Sequence, residues 1–178
     1  MDIFEIDQAL KTFEILVDTR EQPTKRSQER YKAFGCPYRR QALNYGDYTY
    51  TASVGGKPIH PEGTVSGLCV VERKMDLDEL AMCFGSNRDR FRREFERAAE
   101  HKAKTYLLIE DASWEKLLGG KYESRFNSKA LTASLIAWCV RYNLTPIMCD
   151  RKSSGALIKE ILYRDFKERL ERGEFDGE

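Results

Sequence analysis

The sequence has little of what a zinc enzyme, a disulfide scaffold or a membrane protein needs. Its two histidines, His60 and His101, are isolated. Its five cysteines, Cys36, Cys69, Cys83, Cys139 and Cys149, are odd in number and scattered, with no C-x-x-C pair. Most lie in apolar surroundings, which reads as reduced, packed thiols rather than a zinc site or disulfides. No apolar run approaches the length that crosses a bilayer. The opening Met1-Asp2-Ile3-Phe4-Glu5 is acidic and mixed, unlike a secretory signal. A cytoplasmic protein without membrane contact is therefore expected. Repeats, low-complexity tracts and any sign of a second domain are also missing. A large net charge is missing too, since 30 basic and 29 acidic side chains leave +1. What remains is a chain of 178 residues, 41% hydrophobic and 33% charged, that reads as one soluble domain able to bury a core.

The most informative stretch present is Val71-Glu72-Arg73-Lys74, at the end of the apolar run Leu68-Cys69-Val70-Val71. In a strand, side chains two apart share a face. Glu72 and Lys74 are thus expected to project together, with Arg73 opposite. A carboxylate there can hold a hard divalent cation, and an ammonium beside it can orient a water or steady charge on a phosphate. Asp47, in Tyr45-Gly46-Asp47-Tyr48, would come from a neighbouring strand as second ligand. The Glu-x-Lys triplet occurs by chance in many charged proteins, so it weighs little alone. A second apolar run, Ile15-Leu16-Val17, also ends in mixed charge, Asp18-Thr19-Arg20-Glu21. Two buried strands ending in acid and base place carboxylates at one rim of a sheet, where open α/β sheets keep their sites.

Charge distribution says more than net charge. Between Arg20 and Arg40 lie seven basic residues and two acidic ones, Glu21 and Glu29. A second basic group, Arg88, Arg90, Arg92, Arg93 and Arg97, follows the motif. A basic rim around an acidic centre suits a polyanion held over metal ions. The competing explanation is a solvated helix with i,i+4 pairs, Arg90–Glu94 and Arg92–Glu96. Both explanations are expected to hold in part, with Arg39, Arg40, Arg90 and Arg93 the candidates for contact with phosphates of the polyanion.

The pattern of elements begins with a loose or helical leader at 1–12. Strands follow at about 14–19, 38–43, 48–52 and 67–73, with a short helix over 27–34 and a Gly/Pro-containing loop or hairpin tip over 55–66. Helices are expected at 76–83, to about 102, at 113–118, 128–142 and 153–172, with strands at 105–109 and 146–149. Asp76 reads as an N-cap. Strands first, then β-α alternation, describe an α/β fold with a mixed central sheet and helices on both faces.

Taken together, Asp18-Thr19-Arg20-Glu21, Gly46-Asp47 and Glu72-Arg73-Lys74-x3-Asp78 resemble the signature of the XPF-type structure-specific endonucleases, a branch of the restriction-endonuclease-like PD-(D/E)xK enzymes. Order and spacing match across about residues 14–110. The resemblance implies a restriction-endonuclease-like sheet and a nuclease domain over 13–178. It also implies Mg²⁺- or Mn²⁺-dependent hydrolysis of DNA phosphodiesters, at branched or flapped DNA. Asp47 and Glu72 would be the core metal ligands. Asp18 would be a further ligand, at a second cation or through water, and Glu21 would support it. Lys74 would position the attacking water. Arg20 and Arg73 match family positions, and either phosphate contact or holding of carboxylates fits them. Asp78 would support from one turn into its helix. The resemblance further implies a homodimer, which agrees with the helix around Ala130–Val140 being apolar on more than one face.

Three departures qualify this. No helix-hairpin-helix or helicase domain is encoded, segment 52–66 is longer than the family's tight hairpin, and Glu94 follows Arg90-Phe91 where a glutamine is usual. They touch substrate choice rather than chemistry, and a DNA-binding partner protein could replace the missing grip. A small prokaryotic or phage protein is expected. Two alternatives stand: a restriction-like or recombination nuclease cutting ordinary duplex, and a non-catalytic DNA-binding module on the same fold.

Overall fold

The computed structural model describes residues 1–60 and 63–176. In chain order the elements are α1 (Ile3–Lys11), β1 (Glu14–Asp18), α2 (Lys25–Lys32), β2 (Tyr38–Gln41), β3 (Tyr48–Thr51), β4 (Ser53–Val54) and β5 (Lys57–Pro58). The motif strand β6 (Cys69–Lys74), α3 (Leu77–Phe84), α4 (Arg88–Glu100), β7 (Lys104–Glu110) and α5 (Trp114–Leu118) follow. The chain continues with α6 (Ser128–Tyr142), β8 (Leu144–Cys149) and α7 (Ser154–Glu171).

Local chemistry sets the boundaries. Asp2 and Glu5 form a capping box that starts α1, so the leader is helical. Asp76 accepts from the Glu79 amide and starts α3 as its spacing predicts. α6 runs from an Asn127 cap to Asn143, whose left-handed backbone ends it. The glycine pair Gly55-Gly56, both at positive φ, turns β4 into β5. The 55–66 segment is therefore a short hairpin plus loop, with Pro61 and Glu62 outside the described residues.

Six strands form one sheet in the order β2-β1-β3-β6-β7-β8. β1 and β2 are parallel, β3 is antiparallel to both β1 and β6, and β6, β7 and β8 are parallel. The carboxyl ends of β1, β6 and β7 consequently reach the same rim, together with the start of β3. The mixed α/β sheet read from the sequence is the observed one.

Helices cover both faces. Ile15, Val17, Tyr48, Tyr50, Val71 and Leu108 pack against Ile158, Leu162 and Phe166 of α7, with α1 and α2 beside it. Leu107 and Ile109 point the other way, into a core with α3, α4 and α6 centred on Trp138. The period of two along β7 thus feeds two cores. Near its start α7 comes so close to α2 that a Cβ on Gly155 would lie 2.4 Å from the Arg30 carbonyl oxygen. No helix among the described residues is long and apolar enough to cross a membrane.

Candidate active site

A cavity of about 560 Å³ opens at the shared rim. Asp47, Glu72 and Lys74 line it, with Arg20, Glu21 and Arg73, with Asn87 at the start of α4 and with Arg90, Phe91 and Glu94 of α4. Three separated stretches of sequence meet here because β1, β3 and β6 are neighbours in the sheet.

Asp47 sits in the bend just before β3. Gly46 makes that bend possible, at φ +73° and with its Cα against Val70, where a Cβ would lie 2.9 Å away. The Asp47 amide donates to Val71 O (2.9 Å), and its Oδ2 accepts from the Arg73 amide (2.8 Å). Two bonds to β6 thus fix the carboxylate beside the motif. Glu72 and Lys74 share one face as their spacing predicts, with Nζ 2.6 Å from Oε1. Lys74 also lies 4.9 Å from the centre of the Phe91 ring.

Burial pushes the Asp47 carboxyl well above the usual carboxylate range, and the neighbouring Glu72 charge pushes the same way. Lys74 and the Arg73 amide offset this only in part. Burial would lower the Lys74 ammonium, but Glu72 and Asp47 outweigh it and hold the pKa up. Lys74 is thus a fixed cation, suited to steadying negative charge rather than to taking a proton.

Asp18 ends β1 almost fully buried, but its carboxylate faces Arg20. The Arg20 amide reaches Oδ1 at 2.8 Å, and Nε and Nη2 reach Oδ2 at 2.9 and 2.5 Å. The geometry therefore gives Asp18 to Arg20 rather than to the cleft. Arg20 in turn meets Glu94 at 3.3 Å. Of its two readings, Arg20 here fills the carboxylate-holding one. Among the described residues no group of three or more His, Cys, Asp or Glu side chains converges to hold a metal.

Glu21 belongs to a buried network on the other side of β6. Its Oε1 accepts from Arg30 Nη1 (2.8 Å) and its Oε2 from the Tyr48 hydroxyl (2.7 Å). Arg30 Nε reaches Glu110 at 3.1 Å, and Arg26 reaches the same carboxylate at 2.7 Å. Arg73 lies between, 3.4 Å from Glu110 and 3.7 Å from Glu21. Burial alone would raise Glu110, yet Ser154, Arg30, Arg73 and Arg26 bring its pKa below the usual glutamate value. Arg30, Tyr48 and Glu110 were not singled out from the sequence. Glu110 had a legible signal, because it ends the apolar run of β7 as Asp18 ends that of β1.

The remaining predicted residues scatter. Arg90 lines the cleft, whereas Arg93 is exposed on α4 and is not part of that lining. Arg39 pairs with Glu14 (2.9 Å) on β1, away from the rim. Arg40 donates to the Thr19 and Glu21 carbonyls at 2.6 and 2.7 Å and so clamps the turn that carries Arg20 and Glu21. Asp78 accepts from the Ser124 amide at 2.6 Å, anchoring a loop outside the cleft lining. Arg92–Glu96 forms at 3.8 Å, but Glu94 pairs with Arg20 and Arg97 rather than with Arg90.

A mixed six-stranded sheet thus gathers acid, acid and lysine at one rim. The ERCC4 domain model matches residues 17–161, so the chain belongs to that family as an XPF-type nuclease domain. No curated protein matches it. Among solved structures it is similar to XPF from Aeropyrum pernix, at 19% identity and a TM-score of 0.59, over 85% of this chain and 61% of that one. It is similar also to XPF from Aeropyrum pernix in complex with DNA, at 20% identity and a TM-score of 0.59, over 88% of this chain and 66% of that one. The chain thus spans just under two thirds of these relatives, and at such identities the likeness shows the fold.

Proposed function

We propose that this domain is a divalent-metal-dependent DNA endonuclease with Asp47, Glu72 and Lys74 at its centre. The observation that carries this is the meeting of Asp47, Glu72 and Lys74 in one cleft, with Asp47 tied to the β6 backbone by two hydrogen bonds and Lys74 bonded to Glu72. Two like charges in a cleft fit a divalent cation, which would relieve the repulsion, and an all-oxygen donor set fits Mg²⁺ or Mn²⁺. Asp47 and Glu72 would hold the cation, which would supply Lewis-acid stabilisation of the phosphate and a more acidic water. Lys74 would orient that water and offset charge as the phosphate is attacked. Arg90, which lines the same cleft, would receive a backbone phosphate. A family relative solved with DNA supports the substrate class.

Branched or flapped DNA is the favoured substrate. The cleft is open, and reading base edges requires an element that enters a groove. Selectivity then comes from deformability, since a flexible branch point bends into the cleft more easily than stiff duplex does. A partner protein that grips duplex arms would sharpen this preference. Initial rates on a 3′ flap, a fork and linear duplex of matched sequence, at one salt concentration, test the reading. Faster cutting of flap and fork is expected. Equal rates, or cutting at a fixed sequence, would favour a restriction-like enzyme, and no cutting with Mg²⁺ or Mn²⁺ would favour a non-catalytic module.

The working form is a homodimer. α6 buries Leu131, Leu135 and Trp138 yet leaves Ile136 and Val140 exposed, the latter 82% accessible. Light scattering at tens of micromolar should show twice the 20.7 kDa chain mass. A monomer alone would remove this element of the reading.

A further inference from the structure

Behind the catalytic cleft lies a second cavity, of about 480 Å³, between α2 and the start of α7. Its walls are basic: Lys25, Arg26 and Arg30 come from α2, and Arg151 and Lys152 from the turn before α7. Two acids, Glu29 and Glu110, also line it, but the Glu110 charge is already met by Arg26 and Arg30. Lys25 and Lys152 have no ion-pair partner among the described residues, and Arg151 has only Asp111, at 3.9 Å. Arg26 and Arg30 line this cavity and the catalytic cleft alike, so the two adjoin at these side chains.

Arg26 stands at the junction. Its Nη2 is fixed from behind by Glu110 and by the Met75 carbonyl at 3.2 Å. Its Nε is buried and has no hydrogen-bond partner among the described residues. A buried donor left unmet costs stability, about 1–3 kcal/mol, unless a ligand completes it. The floor is rigid as well, because Gly155 seats α7 directly on the Arg30 carbonyl. A preset guanidinium with a spare donor, flanked by two unpaired lysines and by Arg151, has the chemistry of a phosphate seat.

We infer that this cavity binds a backbone phosphate of the DNA strand as the strand passes from the catalytic cleft across Arg26. The inference rests on the DNA-nuclease reading and deepens it, since it gives the strand a direction. The path runs over α2 toward the α7 turn, rather than only across the Arg90 wall of α4. Holding a second phosphate would fix the strand's register over Asp47 and Glu72.

The test is the salt dependence of DNA affinity, measured by fluorescence anisotropy on a labelled fork in chelator, so that no cleavage occurs. Each phosphate contact contributes roughly 0.9 to the slope of log K against log salt on duplex, and roughly 0.7 on single strands. The double variant Arg151→Glu/Lys152→Glu should weaken binding at least tenfold at low salt and lower the slope by roughly one to two. The control Lys167→Glu/Arg172→Glu lies at the far end of α7 and changes the net charge equally; it should keep the wild-type slope. Arg151, Lys152 and Arg172 are exposed and Lys167 is half-buried, and thermal melts check folding; should the glutamate variant misfold, Arg151→Ala/Lys152→Ala is read instead. Equal slopes in test and control would overturn the inference and leave the nuclease reading standing. Absence of DNA binding by the wild type would overturn both. Calorimetry with inorganic phosphate separates a free-anion site: saturable phosphate binding with an unchanged DNA slope would also overturn the inference.

Discussion

The two faces of β6 carry charge in opposite ways. On one, Glu72 and Lys74 pair at 2.6 Å beside Asp47, and the three look into an open cleft. On the other, Arg73 is sunk among Glu21, Arg30 and Glu110, where Arg30 is only 3% and Glu110 0% accessible. The second group is close to balanced, with arginines and glutamates exchanging several hydrogen bonds. The first holds Asp47, whose carboxyl is raised by burial and, less, by the Glu72 charge. A sheet rim thus carries a consolidated ionic frame on one side and, on the other, two carboxylates and a single lysine. Stability should reside in the first and function in the second.

The largest effect is expected in the frame. Glu110→Ala removes the anion that Arg26, Arg30 and Arg73 share, leaving a buried guanidinium short of a partner. Breaking a buried pair in this way costs about 3–5 kcal/mol. For a chain of this size that lowers the melting temperature by on the order of 10 °C. Calorimetry should register it, and an unchanged melt would mean that the frame does not hold the rim together.

The acidic side should respond in the reverse sense. Asp47→Asn keeps the acceptor for the Arg73 amide but removes the charge that burial and Glu72 oppose. Stability should stay within about 1 kcal/mol of wild type or rise. A loss comparable to that of Glu110→Ala would erase the contrast between the faces.

The smallest and most discriminating effect is in pH. The raised Asp47 pKa means that the folded state keeps a proton that the unfolded chain releases. Its contribution therefore declines as pH rises from the ordinary carboxylate range through the raised value. Glu110 behaves oppositely, since its pKa is lowered. Its contribution is complete above the ordinary glutamate range and is lost as pH falls through the lowered value. Chemical denaturation from pH 3 upward, an acidity of about the reference carboxylate range, should show Asp47→Asn gaining on wild type as pH rises. Glu110→Gln should flatten the acid limb. Parallel curves for all three proteins would contradict the assignment of these charges.

Much of this was legible in sequence because β-strands enforce a period of two. Glu72, Lys74 and the opposed Arg73 follow from spacing alone, and Asp76 and Ser128–Tyr142 follow from cap chemistry and apolar pattern. The fate of Asp18 was not legible. A strand-end acid looks the same on paper whether its oxygens face a cleft or the arginine two residues on. Arg39, Arg40 and Asp78 stay out of the cleft lining for a related reason. Charge density along a sequence does not say which side chains find partners once β1, β2 and the Ser124 loop are in place. Glu110 and Arg30 meet across 80 residues, and neither sits in a motif that announces the other.

The central claim is that Asp47, Glu72 and Lys74 form a metal-dependent cutting centre on a frame that does not depend on them. The direct measurement is cleavage of a labelled fork by wild type, Asp47→Asn and Lys74→Ala, each with Mg²⁺ and with chelator, alongside melting curves of the same samples. Cleavage by wild type only with metal is expected, with at least about a thousandfold loss in both variants from removing preorganised charge at the reacting phosphate, and with folding retained. Undiminished cleavage by either variant, or by wild type in chelator, would contradict it.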